Sequence, residues 1–158
     1  MPEFPERIFD LATEALAEQE RQVSELRGRG PALLAAGAVV ASLLANPVFH
    51  DGHPRGVAEV AATAVGLLGV TGLLVFVVLL LRPYKLGFSV KAGATYRALW
   101  EQDILEQPMV DLALAEALET RRSENAEAVE RLVQWLTLAL AALVLEAAGF
   151  AAAVALSS

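Results

Sequence analysis

Residues 60–81, VAATAVGLLGVTGLLVFVVLLL, contain no charged residue and no proline, and Arg82-Pro83 follows them directly. As an α-helix this stretch of 22 residues would be roughly 33 Å long, enough to cross a bilayer core of about 30 Å. A buried helix of a soluble domain is seldom so long, and it usually keeps one polar face. The stretch therefore predicts a transmembrane helix and decides the class of the protein.

Two further apolar runs flank this helix. Residues 31–49 are uncharged, and residues 132–156 are strongly apolar with Glu146 as their one charged residue. With 56% hydrophobic residues and a mean hydropathy of +0.50, the chain of 158 residues is too apolar for an ordinary soluble domain. We expect an all-α membrane protein with three transmembrane helices and cytoplasmic helical extensions, assembled as a homo-oligomeric helical bundle. The expected segments are a cytoplasmic amphipathic helix (1–30), a first span (31–49), an outer loop (50–56), a second span (57–81), a cytoplasmic helical region (82–131) and a third span (132–156).

Basic residues predict the orientation of these spans. Residues 1–31 and 82–131 carry eleven of the twelve lysines and arginines, and the loop 50–56 carries only Arg55. The positive-inside rule places the N-terminus and residues 82–131 in the cytoplasm, with the C-terminus outside. The excess of alanine is typical of a GC-rich bacterial genome, so we expect a multi-pass protein of the bacterial inner (cell) membrane.

The two cytoplasmic extensions each contain a suspected interruption. Residues 4–27 have the apolar stripe of an amphipathic helix, and Gly28, Gly30 and Pro31 predict that this helix breaks or kinks before the first span. A second helix starting at Met109 would be roughly 70 Å long if it continued unbroken into the third span. Its weak point is the polar stretch 120–125, where a new helix start is the open alternative.

A seam of small residues runs along the third span with one carboxyl group in its middle. Its members are Ala139, Ala142, Glu146, Gly149 and Ala153, spaced 3-4-3-4. Small seams let membrane helices approach closely, and a carboxyl group at this depth should face protein or water. Glu146 is therefore a candidate for a pore, a gate or a proton-linked contact. The alternative is a protonated acid that joins helices by a hydrogen bond to Thr63 or Thr71.

Basic and aromatic side chains supply candidates for a ligand site. They are Arg27, Arg29, Lys85, Lys91, Arg97 and Trp100 near the inner membrane surface, and Arg121 and Arg122 deeper in the cytoplasm. For the basic residues of the first group, membrane topology and contact with anionic lipid headgroups are the favoured interpretation. A phosphate site with a stacked base is the functional interpretation of the same group. Lipid does not account for Arg121-Arg122, which makes this pair the better candidate for an anion site.

Other chemistry is not indicated. The chain has no cysteine, and it contains no nucleophile with its base, no paired carboxylates and no glycine-rich phosphate loop outside a span. His50-x-x-His53 contains Gly52 and is followed by Pro54, which favours a turn over a metal site. We expect no enzyme activity, no cofactor and no metal.

The layout of the chain resembles a known group of proteins. The residues that carry the resemblance are the helix 11–29 that leads into the first span, Arg82-Pro83 closing the second, and Asn125, Val129 and Arg131-Leu132 before the third. The chain thereby resembles small bacterial membrane effectors of nucleotide-signalling antiphage systems, namely the SLATT and Pycsar-type effectors and the Hailong-type channel subunits. It departs from many of them where the first span starts, with Arg27-Gly28-Arg29-Gly30 in place of an Asp-x-Lys-Ala-like sequence.

The resemblance implies a homo-oligomeric ion channel, with a tetramer preferred. A nucleotide or oligonucleotide signal from a partner nucleotidyltransferase would gate it, and its opening would depolarise the membrane of the infected cell in abortive infection. Membrane lipids are the other expected partner. The competing class is a non-conducting interaction or assembly protein that its helices hold in the membrane.

Overall fold

The computed structural model describes residues 4–45, 56–84, 86–87 and 107–157, which are helical except for short connections. Helix α1 comprises Phe4–Val40, α2 comprises Val57–Leu81 and α3 comprises Gln107–Ser157. A π-helical turn, Ala41–Ala45, extends α1. The described residues contain no strand, which confirms the all-α class.

Helix α1 continues through the site of its predicted interruption. Pro31 lies inside the helix, so the prediction of a helix break at Gly28, Gly30 and Pro31 is wrong. A proline lacks an N–H and disfavours the helix by about 3 kcal/mol, but packing overrides this local preference. Gly30 is buried against α2, where a Cβ would lie 3.3 Å from Val77 Cγ1, and this contact holds the helix together across the proline.

Helix α2 begins and ends where its sequence indicates. The extended backbone of Gly56 precedes it, and the Gly56 carbonyl accepts the Val60 N–H at 3.1 Å. At the other end Arg82 leaves the helical region, with φ −54° and ψ 135°. The cause is Pro83, whose ring disfavours helical backbone in the preceding residue.

Helix α3 is unbroken, which settles the alternative at residues 120–125. Pro108 occupies the first turn, where its missing N–H would be unbonded in any case. The polar stretch is held by pairs within the helix, including Arg121 with Glu124 at 2.7 Å and Arg122 with Glu119 at 3.4 Å. Each such exposed pair contributes about 0.3–0.5 kcal/mol, so together they support helix where apolar packing is missing.

The chain divides into two compact units. The first unit comprises Met1–Glu25 and Tyr84–Arg131, and the second comprises Leu26–Pro83 and Leu132–Ser158. In the first unit α1 and α3 run in the same direction, since Gln19 bonds near Arg122 and Asn125 while Ile8 lies by Leu112. Its buried apolar side chains are Leu16, Val23, Ala115 and Leu118.

The second unit is a packed set of three helices. Residue pairs at the contacts show that α2 runs antiparallel to α3, because Gly66 meets Gly149 and Gly72 meets Ala142. Helix α2 is also antiparallel to α1, because Gly30 meets residues near its end. A buried cluster at the centre is formed by Leu73, Val77, Ala139 and Ala142, with Leu33, Leu34, Phe76 and Leu143 packed against it.

Two helices are long and apolar enough to cross a membrane, judged by length and composition among the described residues. They are Val57–Leu81 and the 49-residue segment Pro108–Leu156, which correspond to the second and third predicted spans. The predicted first span, 31–49, is α-helical to Val40 and π-helical to Ala45, and its last four residues lie outside the described part. Membrane association is thus supported by two of the three expected spans.

Candidate functional site

The small-residue seam of α3 is buried inside the second unit. Ala139 and Ala153 are fully covered, Ala142 and Gly149 are buried, and the Glu146 side chain is 1% exposed. The structure therefore brings all five pore or gate candidates onto one packed face. That face contacts α1 and α2 of the same chain.

Helices α2 and α3 touch each other backbone to backbone along this seam. A Cβ placed on Gly69 would lie 2.6 Å from Glu146 Cα, and one placed on Gly149 would lie 2.7 Å from Gly66 Cα. A Cβ on Gly66 would also meet the buried Phe150 ring at 2.8 Å. Only glycine fits at these positions, so glycines in the sequences of both helices are what allows the two backbones to approach so closely.

The Glu146 carboxyl group points toward α1. A Cβ on Gly37 would lie 3.2 Å from Glu146 Oε2, so the absence of a side chain there makes room for the carboxyl group. Neither carboxyl oxygen has a hydrogen-bond partner among the described residues. A buried acid in this condition is rare, because unpartnered polar groups lose their hydration without compensation.

The predicted hydrogen bond from Glu146 to a threonine is wrong. Thr63 Oγ1 donates to the Glu59 carbonyl and Thr71 Oγ1 donates to the Leu67 carbonyl, both at 2.9 Å. Each hydroxyl is thus satisfied by the preceding turn of its own helix, a common arrangement for threonine in helices. The carboxyl group is left in surroundings formed by glycine backbone and apolar side chains.

Arg121 and Arg122 have different surroundings, both within the first unit. Arg121 pairs with Glu124 and covers Gly87, where a Cβ would lie 3.4 Å from Arg121 Cδ. Arg122 is half exposed and lies at the rim of an apolar groove of about 490 Å³ between α1 and α3. The groove is lined by Ile8, Leu11, Ala12, Ala15, Leu112, Ala115, Glu116, Glu119 and Arg122. Of the two arginines, Arg122 is the one that lines this groove, whose volume suits a small ligand.

Arg27 and Arg29 lie in the second unit, on different faces of α1. Arg27 Nη2 donates to the Arg82 carbonyl at 3.5 Å, where a cation complements the negative C-terminal end of α2. Its Nε is buried without a partner, whereas Arg29 is exposed. The other ligand candidates, Lys85, Lys91, Arg97 and Trp100, lie outside the described residues, as do His50 and His53. The described part of the chain holds no cluster of three or more potential metal ligands.

Sequence reasoning missed a polar junction in the first unit. Asn125 is 2% exposed; its Oδ1 accepts the Gly87 N–H at 3.1 Å and its Nδ2 donates to the Gly87 carbonyl at 3.0 Å. Nδ2 also lies 3.4 Å from Gln19 Oε1, while Gln19 Nε2 donates to the Arg122 carbonyl. In the sequence, Gln19 interrupts the apolar stripe of residues 4–27, and this interruption was the available signal.

The sequence of α1 also offers Ala35, Ala38, Ser42 and Ala45 as a small-residue seam, either between subunits or within the chain. Ala35, Ala38 and Ser42 are exposed, so they are not a seam within the chain; the small residues of α1 that are buried are Gly30 and Gly37. The spacing of seven residues between these two glycines, two helical turns, was the signal that could have found this face.

The fold and the site together define the chain as an all-helical protein with two candidate membrane spans and a buried carboxyl group on a glycine-lined seam. Comparison of the chain with known protein families, curated proteins and solved structures finds no match.

Proposed function

We propose that the protein is a homo-oligomeric ion channel of the bacterial inner membrane, with Glu146 at its gate. The observation that carries this proposal is the Glu146 carboxyl group, buried and without a hydrogen-bond partner between apolar helices. Ionisable groups inside membrane helices are rare and mark ion or proton pathways. A group with a purely structural role would be expected to have a partner.

The surface of the second unit supports placement in a membrane. Many large apolar side chains of α2 and α3 are exposed, among them Leu68 at 66%, Val78 at 67% and Val144 at 68%. Water would disfavour so much exposed apolar surface, whereas acyl chains or another subunit would cover it. The alternating directions of the three helices suit three passes, with the N-terminus in the cytoplasm and the C-terminus outside.

The first unit would be the cytoplasmic part that receives the signal. Its apolar groove is large enough for a planar ring system, and Arg122 at the rim supplies a cation for a phosphate group. Release of Arg122 from Glu119 requires little free energy, because the pair is exposed and long at 3.4 Å. The role as an antiphage effector that answers a nucleotide or oligonucleotide from a partner nucleotidyltransferase follows from the resemblance in layout.

A non-conducting interaction or assembly protein is the second candidate. The observation in its favour is the seam itself, whose small residues are used in contacts within one chain. Under this proposal the seam only compacts the three helices, and the groove of the first unit would hold a partner. No ion current is then expected.

Planar-bilayer recording of the purified protein, with and without nucleotides, separates the two candidates. We expect currents that respond to a nucleotide and that change in conductance or selectivity in Glu146→Gln, which keeps the size of the side chain. Glu130→Gln is the matched control, because Glu130 is an exposed carboxylate on the same helix. Native mass spectrometry in mild detergent should show a closed oligomer, with a tetramer preferred. Monomers alone, or silent bilayers under all conditions, would exclude the channel.

A further inference from the structure

The Glu146 carboxyl group is enclosed by backbone of two neighbouring helices. On α2 the approach at Gly69 is so close that a Cβ there would lie 2.8 Å from Glu146 Cβ. On α1 Gly37 faces Oε2, and an added Cβ there would also collide with Leu73 Cδ2. Glycines on α1 and α2, which have no side chains, thus make room for the Glu146 side chain inside the second unit.

The described surroundings of Glu146 do not supply the set of oxygen ligands that a metal cation takes. A desolvated cation such as Na⁺ or Ca²⁺ takes several oxygen ligands, and one carboxyl group supplies at most two. The hydroxyl groups of Thr63 and Thr71 donate to carbonyl groups of their own helix. A proton needs only a single carboxylate oxygen, so it is the cation that this site fits.

Among the described residues of the unit, no cationic side chain lies beside Glu146 that could balance a carboxylate. The remaining ionisable side chains described there are Arg27 and Arg29 on α1, and Glu59 and Arg82 on α2. The two on α1 lie eight to ten residues from Gly37 and the two on α2 lie ten to thirteen residues from Gly69, roughly 12–20 Å along the helices. None of them bonds to the carboxyl oxygens.

We propose that Glu146 is a proton-binding site covered by Gly37 of α1. The acid keeps its proton while α1 is packed over it, and passes the proton to water, leaving the carboxylate, when α1 moves away. The π-helical turn Ala41–Ala45 begins one turn beyond Gly37, and such turns are frequent at functional sites of helices. The inference rests on the proposed channel for its gating role, whereas proton occupancy is measured separately.

Infrared difference spectroscopy in lipid vesicles tests the occupancy. At neutral pH exposed carboxyl groups are ionised, since their usual pKa values are about 4. We expect the wild-type protein to show a carboxylic-acid C=O band that is lost in Glu146→Gln and kept in Glu130→Gln. A wild-type protein without this band at neutral pH overturns the proposal.

Labelling with dicyclohexylcarbodiimide, an apolar reagent for protonated carboxyl groups, gives a second measurement that needs no variant at Glu146. Mass spectrometry should locate the adduct on Glu146 and find none on Glu130. Gly37→Ala should accelerate the labelling by displacing the cover, whereas Gly28→Ala should not, because nothing lies within 4 Å of its added Cβ. Equal labelling of Glu130 and Glu146 overturns the proposal.

The proton site and the channel can fail separately. If the infrared spectrum shows the acid band but the protein conducts no ions, the channel is refuted and the proton site is supported.

Discussion

Replacing Gly69 by alanine tests whether the close contact between α2 and α3 holds the second unit together. The new Cβ would lie 2.6 Å from Glu146 Cα and 2.8 Å from its Cβ, and closer still to its backbone nitrogen. Backbone atoms cannot turn aside as a flexible side chain can, so the two helices have to separate. Gly28→Ala is the matched control, because its added Cβ has no neighbour within 4 Å.

The expected magnitudes have opposite signs in the two variants. Overpacking costs about 1–3 kcal/mol, and a backbone collision belongs at the upper end of this range. Alanine in place of glycine stabilises a helix interior by about 1 kcal/mol. We therefore expect Gly69→Ala to lose about 2 kcal/mol of unfolding free energy and Gly28→Ala to gain up to about 1 kcal/mol. The two unfolding constants should differ by about two orders of magnitude.

Fluorescence of Trp135 offers a direct assay, because this side chain of α3 stacks on Phe76 of α2 with ring centroids 6.1 Å apart. Unfolding in detergent micelles would be followed with Trp100→Phe as the background, so that Trp135 is the only tryptophan. Gly72→Ala adds an intermediate case, since its Cβ would meet side chains only, Ala142 Cβ at 3.3 Å and Phe76 Cε2 at 3.6 Å. A Gly69→Ala protein as stable as Gly28→Ala would refute the packing at this crossing.

Three further predictions follow from other parts of the chain. Reporters attached after Ser158 and inserted near Glu119 should report opposite sides of the membrane, and the same side for both would refute the topology. Arg122→Ala should abolish the bilayer response to nucleotides whereas Arg121→Ala should keep it, because only Arg122 lines the groove; equal responses would remove the groove as the signal site. Asn125→Ala should lower the unfolding free energy by about 1–3 kcal/mol by leaving Gly87 N–H unbonded, and a stability equal to the wild type in chemical denaturation would show that water replaces these bonds.

Much of the helical layout could be predicted from the sequence, because long apolar runs and their terminators act locally. Arg82-Pro83 ends α2 as expected, since a proline restricts the residue before it wherever it occurs. The prediction of a helix break at Pro31 failed because the effect of this proline is not decided locally. Its local effect is overridden by the packing of Gly30 against α2, which depends on residues nearly 50 positions away in the chain. Propensity rules do not include such contacts.

The candidate site could be predicted on one helix only. The 3-4-3-4 spacing located the seam of α3 and the acid within it, because helical periodicity determines which residues share a face. The partners of Glu146 on the other helices were not predictable in this way. The sequence around Gly37 contains many other small residues, so nothing singled out this glycine. The threonines that the sequence offers as hydrogen-bond partners of Glu146 donate instead to carbonyl groups of their own helix. The periodicity of the sequence shows which residues share a face of one helix, whereas the tertiary structure is needed to show which faces pack against each other.

The use of the seam within one chain constrains how a ring of subunits would be built. Gly66, Gly69 and Gly149 are already in contact with backbone of a neighbouring helix, so a second copy cannot use the same face without separating α2 from α3. Other small residues stay exposed on all three helices, among them Ala35 and Ala38 on α1, Ala64 on α2 and Ala148 on α3. A channel of the proposed kind would therefore join subunits through other faces and keep Glu146 inside each one. Access of ions to Glu146 would then require a movement of α1 within the subunit, because α1 is the helix whose glycine covers the carboxyl group.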